Sequence, residues 1–172
     1  MHAGFSFSHR SLPSKVVFGE GVVMRLADEL TELGVRRPVL VAGRRTATSA
    51  VYRQTLQALR GWPLAECLGM PEHSPLPDVA RLCDLARDHG ADGFVAVGGG
   101  SASDACKAAA LWLAEGGDLA AHATRFVPPD QLISPRLTAA KLPVVALPTT
   151  LSAAEVTAGG SVRTPEGRKI VL

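Results

Sequence analysis

The sequence predicts an α/β fold: a doubly wound parallel sheet followed by a C-terminal β-hairpin. Three observations carry that prediction. Strand-like and helix-like segments alternate several times along the chain. The inner strand segments are continuous apolar runs, as expected where both faces of a sheet are covered. Glycines punctuate the junctions between segments. The chain has 172 residues, 47% hydrophobic and 20% charged. That length suits one domain over residues 1–172 with a self-supporting core.

The elements follow in order. Lys15-Val16-Val17-Phe18-Gly19 is a β-branched run ended by glycine, hence a strand. Val22, Val23, Leu26, Leu30 and Leu33 recur at helical spacing, and Gly34 stops the helix. Pro38 to Gly43 is a buried strand, and Thr46 to Leu59 a helix with Val51, Leu56 and Leu59 inward. Pro63 to Leu68 is a weaker strand. Between Pro77 and His89, Val79, Leu82, Leu85 and Ala86 mark a helix closed by Gly90. Asp92 to Val97 is a buried strand running into Gly98-Gly99-Gly100, and Ser101 to Glu115 an alanine-rich helix ended by Gly116-Gly117. Phe126 to Lys141, with Pro128, Pro129 and Pro135, reads as a surface connection. Leu142 to Pro148 is the last buried strand. Ser161–Thr164 and Arg168–Leu172 flank Pro165-Glu166-Gly167 as a hairpin whose apolar end is an exposed edge unless something covers it.

Composition excludes several roles. Eighteen Lys and Arg against sixteen Asp and Glu give a net charge of +2, without the basic excess that a polyanion needs. Nucleic-acid binding is not expected. The N-terminus lacks the basic region and apolar run of a secretory signal, and no apolar stretch reaches the ~18–20 residues that cross a bilayer. Cys67, Cys83 and Cys106 lie in apolar stretches without C-x-x-C spacing, as small hydrophobes in a reducing compartment do. A cytoplasmic location without membrane contact follows.

The chemistry-bearing segment is Val95-Ala96-Val97-Gly98-Gly99-Gly100-Ser101-Ala102-Ser103-Asp104. A buried strand ends, glycines turn the chain, and a helix begins. Glycine lets an anionic group approach the backbone, and the first helical amides have no internal partner. A phosphate or pyrophosphate is stabilised there without a cationic side chain. Ser101 with Asp104 also has the spacing of a capping box. The same residues equally suit a tight turn with helix caps, and no G-K-[ST] follows to make a P-loop. Thr149 and Thr150, after Pro148, stand at the end of the last strand, where hydroxyls can meet a ribose or carboxamide or simply form a turn.

Together these residues resemble the iron-containing (type III) alcohol dehydrogenase superfamily. The match to G-G-G-S-x-x-D-x-x-K is Gly98, Gly99, Gly100, Ser101, Asp104 and Lys107, followed by Pro148-Thr149-Thr150, Glu155 and Lys169. The opening Pro13 to Gly21 is similar to the family's first strand and turn. Between the threonines and Glu155 stand Leu151-Ser152-Ala153-Ala154, one residue fewer than in typical iron-dependent members, which is similar to the maleylacetate reductase branch. The resemblance implies a Rossmann-like nucleotide-binding domain and an oxidoreductase using NAD or NADP. It implies pyrophosphate contacts from Gly98, Gly99, Gly100 and Ser101, and Thr149 and Thr150 near the cofactor. Asp104 and Lys169 are then toward the nicotinamide ribose.

Two departures shape the expectation. Many relatives end the second strand with an aspartate for the adenosine ribose, where this chain has Gly43 followed by Arg44 and Arg45. Losing the carboxylate removes repulsion from a 2′-phosphate, and guanidinium groups can pair with one, so NADP is admitted beside NAD. The family's helical second domain, with its metal and substrate groups, would begin after Leu172. His2, His9, His73, His89 and His122 show no metal-ligand spacing, so no metal ligand is assigned. Iron or zinc would come only with a partner domain. The leading expectation is therefore the nucleotide-binding half of a reductase of a small molecule, completed by a second subunit. The alternatives are a stand-alone nucleotide-binding or regulatory module, and a fragment of a longer enzyme.

Overall fold

The computed structural model describes residues 13–172. His2, His9 and the N-terminal segment judged for a targeting signal lie outside them. Four parallel strands form the central sheet: β1 (Pro38–Ala42), β2 (Ala65–Leu68), β3 (Gly93–Gly98) and, later in the chain, β6 (Val144–Pro148). Their order is β2-β1-β3-β6. The helices are α1 (Leu26–Glu32), α2 (Ala50–Ala58), α3 (Leu76–His89) and α4 (Gly100–Glu115).

Strand alternation sorts the core into two layers. Val39, Val41, Phe94 and Ala96 point to the face carrying α3 and α4, where Leu82, Cys83, Cys106 and Ala109 meet them. Leu40, Ala42, Val95 and Val97 point to the other face, against Leu26, Leu30, Tyr52 and Leu59 of the α1–α2 side. Every residue of β1 and β3 is buried, as their unbroken apolar runs require. Asp92 accepts the backbone N–H groups of Arg36 (2.9 Å) and Arg37 (2.8 Å), fixing the starts of β1 and β3 side by side. The doubly wound sheet with helices on both faces is the fold class read from the sequence.

Three local expectations need correction. Residues 13–18 form no strand, because they find no ladder partner among the described residues, and Val16 and Phe18 are exposed. Lys15 instead pairs with Glu29 and Glu32 of α1, each at 2.6 Å. The connection from Phe126 to Lys141 contains a small antiparallel ribbon, β4 (Arg125–Val127) with β5 (Gln131–Ile133), turning at Pro128-Pro129-Asp130. The terminal hairpin, β7 (Ser161–Arg163) with β8 (Lys169–Val171), is present. Its apolar end is not wholly an open edge. Ile170 and Leu172 pack on the α3–α4 core, the Val171 carbonyl accepts the Thr124 N–H at 2.8 Å, and the Val171 side chain faces outward.

Sequence periodicity also missed Tyr52, which is buried and whose hydroxyl donates to Glu66 at 2.6 Å. Burial first, and Glu66 second, push the phenol well above its ordinary value of 10.0. A phenol harder to ionise in the folded chain than in the unfolded one stabilises the fold fully below pH 10 and progressively less above it. Tyr52→Phe is expected to lower stability by about 1 kcal/mol at neutral pH. It should also flatten the alkaline fall in urea midpoint above pH 10; an unchanged alkaline slope refutes the assignment.

Candidate functional site

The site lies at the carboxyl edge of the sheet, where β3 passes into α4. Gly98 closes β3 with φ +139°, a conformation that side chains rarely adopt. A Cβ there would stand 3.2 Å from the Thr46 hydroxyl. At Gly99 a Cβ would meet Thr150 (3.2 Å), and at Gly100 it would meet Ser152 (3.3 Å). The three glycines thus let two loops close on one turn: the loop after β1, through Thr46, and the loop after β6, through Thr150 and Ser152.

The backbone N–H groups of Gly99, Gly100 and Ser101 find no acceptor among the described residues, and no side chain caps α4. Those donors open a helix of 16 residues, whose dipole places partial positive charge at the same end. The arrangement can hold an anion by backbone alone.

The capping box expected from Ser101 and Asp104 does not form. Ser101 lies inside the first turn of α4 and its hydroxyl accepts the His73 N–H at 2.9 Å. Its carbonyl accepts the buried Ser74 hydroxyl at 2.8 Å. Asp104 accepts the Ser161 hydroxyl at 2.8 Å, tying the start of β7 to α4. Tertiary partners have displaced the local cap, because the hairpin and the loop before α3 both converge on this turn.

The other expected residues are placed as follows. The Thr149 N–H donates to the Gly98 carbonyl at 2.9 Å, and Thr150 packs on Gly99. Gly43 follows β1 directly, and its carbonyl accepts the Ala47 N–H at 3.0 Å. Arg44 and Arg45 are exposed, and neither enters an ion pair among the described residues. Lys169 starts β8 opposite Arg163, whereas Asp104 meets Ser161 at the other end of β7. The structure therefore sets Asp104 and Lys169 at opposite ends of the hairpin. Glu155 lies in a short 3-10 turn, with the Ser152 hydroxyl 3.5 Å from its carboxylate.

Lys107 is the residue whose role the sequence did not disclose. Its ammonium donates to the carbonyls of Ala154 (2.6 Å), Thr157 (3.1 Å) and Gly159, and to the Thr157 hydroxyl (3.0 Å). Asp104 stands 3.8 Å away. Burial draws its pKa below the ordinary lysine value, opposed by the charges of Asp104 and Glu155. Lys107 clasps the loop that covers the glycine turn. His73 and Ser74 were missed as well; the only hint was a His-Ser pair before Pro75 in a turn-rich stretch. The thiols offer no nucleophile: burial pushes Cys83 up to about 11 and also raises Cys67 and Cys106. Among the described residues, no group of three or more His, Cys, Asp or Glu could hold a metal ion. No described helix is long and apolar enough to cross a membrane.

A glycine turn between a central parallel strand and a helix, at the open carboxyl edge, defines a Rossmann-like domain with an anion-accepting helix start. The chain matches the iron-containing alcohol dehydrogenase family over residues 13–172 and belongs to it. It is 32% identical over 151 residues to a 4-hydroxybutyrate dehydrogenase of Cupriavidus necator, covering 87% of this chain and 38% of that protein. It is 37% identical over 108 residues to a maleylacetate reductase of Sphingobium indicum, covering 62% of this chain and 30% of that protein. The sulfoacetaldehyde reductase of Bifidobacterium kashiwanohense, solved in complex with NAD+, is similar in fold. Its TM-score is 0.79 at 23% identity, over 98% of this chain and 43% of that one. The chain spans less than two fifths of the length of these curated relatives.

Proposed function

We propose that these residues form the dinucleotide-binding half of an NAD(P)-dependent oxidoreductase. The observation that carries the reading is that the amides of Gly99, Gly100 and Ser101, at the start of α4, find no acceptor among the described residues. The cofactor's pyrophosphate fits that cradle because it needs backbone donors and a helix dipole rather than a cationic side chain. The exposed Thr149 and Thr150, beside Gly98 and Gly99, are placed to bond the cofactor's sugar or carboxamide. Lys169 is assigned toward the nicotinamide end, and Asp104, bonded to Ser161 at the other end of the hairpin, holds that hairpin against α4.

NAD(P)H, when bound, supplies a hydride; this chain's residues hold and orient the donor. A hydride donor alone does not make a reductase, since the acceptor must also be held and its developing charge stabilised. We place those substrate groups, and any iron or zinc, in a helical half outside residues 1–172, contributed by a separate cytoplasmic chain. Relatives that are more than twice as long support a second half outside these residues, and the substrate is a small molecule of the kind their names describe.

Titration of the purified chain with NADH and with NADPH, read by coenzyme fluorescence, tests the cofactor reading. Saturable binding of either supports it, and no binding of either refutes it. Co-purification with the neighbouring gene product, followed by NAD(P)H oxidation, tests the division into two chains. A soluble monomer indifferent to that product counts against it.

Gly43, Arg44 and Arg45 set the expectation for coenzyme choice. The space at Gly43 admits a side chain, its nearest neighbour being the Met70 carbonyl at 3.5 Å from a Cβ. Gly43→Asp adds a carboxylate beside the exposed Arg44 and Arg45, where it can receive ribose hydroxyls and repel a 2′-phosphate. The ratio of NADPH to NADH affinity should fall about tenfold or more, for a repulsion of about 1.4 kcal/mol or above. An unchanged ratio would remove these residues from the adenosine site.

A further inference from the structure

We infer that the open pocket walled by His73, Arg163, Gly167 and Lys169 is a carboxylate-binding subsite, holding the acid group of the substrate beside the cofactor. The inference rests on the dinucleotide reading above and specifies what that site accepts.

Charge is the first ground. Arg163 and Lys169 are directly opposed across the β7–β8 ribbon. Like charges in that relation are destabilising unless something answers them. No ion pair among the described residues involves either side chain. Glu166, the acidic residue of the hairpin turn, is engaged by the Thr164 hydroxyl and has Arg168 beside it. Glu72 precedes His73 in sequence but forms no part of the pocket wall. The guanidinium of Arg163 lies over Gly167, where a Cβ would stand 3.7 Å from one terminal nitrogen and 4.0 Å from Nε. A planar guanidinium matches a carboxylate through two parallel N–H donors, and Lys169 adds a point charge.

Backbone strain is the second ground. His73 (φ 65°) and Ser74 (φ 47°) are consecutive left-handed residues, neither of them glycine. Such conformations are costly for residues other than glycine and persist only where surroundings impose them. Here the surroundings are explicit. The His73 N–H is held by the Ser101 hydroxyl, and the Ser74 hydroxyl by the Ser101 carbonyl. The Ser74 carbonyl accepts the Arg163 N–H at 3.3 Å, and Pro75 bridges to Arg163. The strained turn thus joins the imidazole of His73 to Arg163 on one side and to the first turn of α4 on the other. Ser101 belongs both to that turn and to the proposed pyrophosphate cradle, so the pocket adjoins the cofactor.

The probe is succinate, with succinamide as the uncharged control and inorganic phosphate as the competing oxyanion. Each is titrated into the full chain and followed by the amide and imidazole resonances of His73 and the β7–β8 hairpin. Saturable succinate shifts centred on His73 and Arg163, absent with succinamide and weaker with phosphate, are expected. Arg163→Met should weaken succinate at least tenfold. His73→Asn, which keeps a residue tolerant of left-handed backbone, should weaken it severalfold. Absence of succinate binding, binding indifferent to Arg163→Met, or phosphate binding as tight as succinate would overturn the subsite. The unmodified chain's titration with NADH alone decides the cofactor reading, so the two ideas fail separately.

Discussion

A Ser101→Asp substitution should reduce NADH and NADPH affinity by a hundredfold or more while leaving the melting temperature unchanged or slightly higher. The opposed signs are the content of the expectation. Ser101 lies in the first turn of α4, and its hydroxyl is an acceptor for the His73 N–H. An aspartate carboxylate accepts that same hydrogen bond. It also adds negative charge at the positive end of a long helix, which is worth about 0.3–1 kcal/mol in stability. Against a bound pyrophosphate the same charge repels. At about 5 Å and an effective dielectric near 20, one pair of charges contributes about 3 kcal/mol, which is the source of the hundredfold figure. Ser101→Ala is the control: it loses the His73 bond, costing roughly 1 kcal/mol of stability, and changes affinity only severalfold. Calorimetric titration and a thermal melt on the same samples read both quantities. If the aspartate variant binds either coenzyme as tightly as the unmodified chain, the amides of Gly99, Gly100 and Ser101 do not receive its phosphates.

What the sequence disclosed follows from which interactions are local. β1 and β3 are read correctly because a strand buried on both faces must be apolar at every position, and Val39–Ala42 and Phe94–Val97 are. The helix over Leu76–His89 is read from Val79, Leu82 and Ala86 at helical spacing, closed by Gly90 in the left-handed region. The glycine turn is legible for the same reason: its residues are contiguous. Where partners come from distant segments, the reading falters. Ser101 and Asp104 have capping-box spacing, yet their hydroxyl and carboxylate are taken by His73 and Ser161, and spacing carries no information about either. The run Lys15–Gly19 has strand composition, but a strand exists only with a ladder partner, and Glu29 and Glu32 draw Lys15 to α1 instead. Tyr52 escaped notice because its burial depends on Glu66, from a strand that follows it, to receive its hydroxyl.

Lys107→Met should lower stability by roughly 2–4 kcal/mol and loosen one loop before the rest of the fold. The methionine keeps the apolar stem, so the packing of α4 on the sheet is preserved and the loss isolates the ammonium. That ammonium is the shared donor for the carbonyls of Ala154, Thr157 and Gly159 and for the Thr157 hydroxyl. Partial burial makes its charge expensive, as the depressed pKa shows, and the converging oxygens together with Asp104 offset that expense. Removing only the cation does not reverse the two effects equally. The carbonyls stay where the backbone puts them and lose their donor, which is why breaking such a cluster costs more than the assembled cluster contributes. Ser152 packs on Gly100 and Thr150 on Gly99, so the loosened loop is the one that covers the cofactor cradle. Hydrogen exchange should therefore quicken first at the amides of residues 154–160, with β1 and β3 still protected, and coenzyme affinity should fall about tenfold in parallel. Uniform acceleration across the sheet would mean that Lys107 supports the global fold rather than this loop. Unchanged exchange at residues 154–160 would mean that the clasp holds nothing.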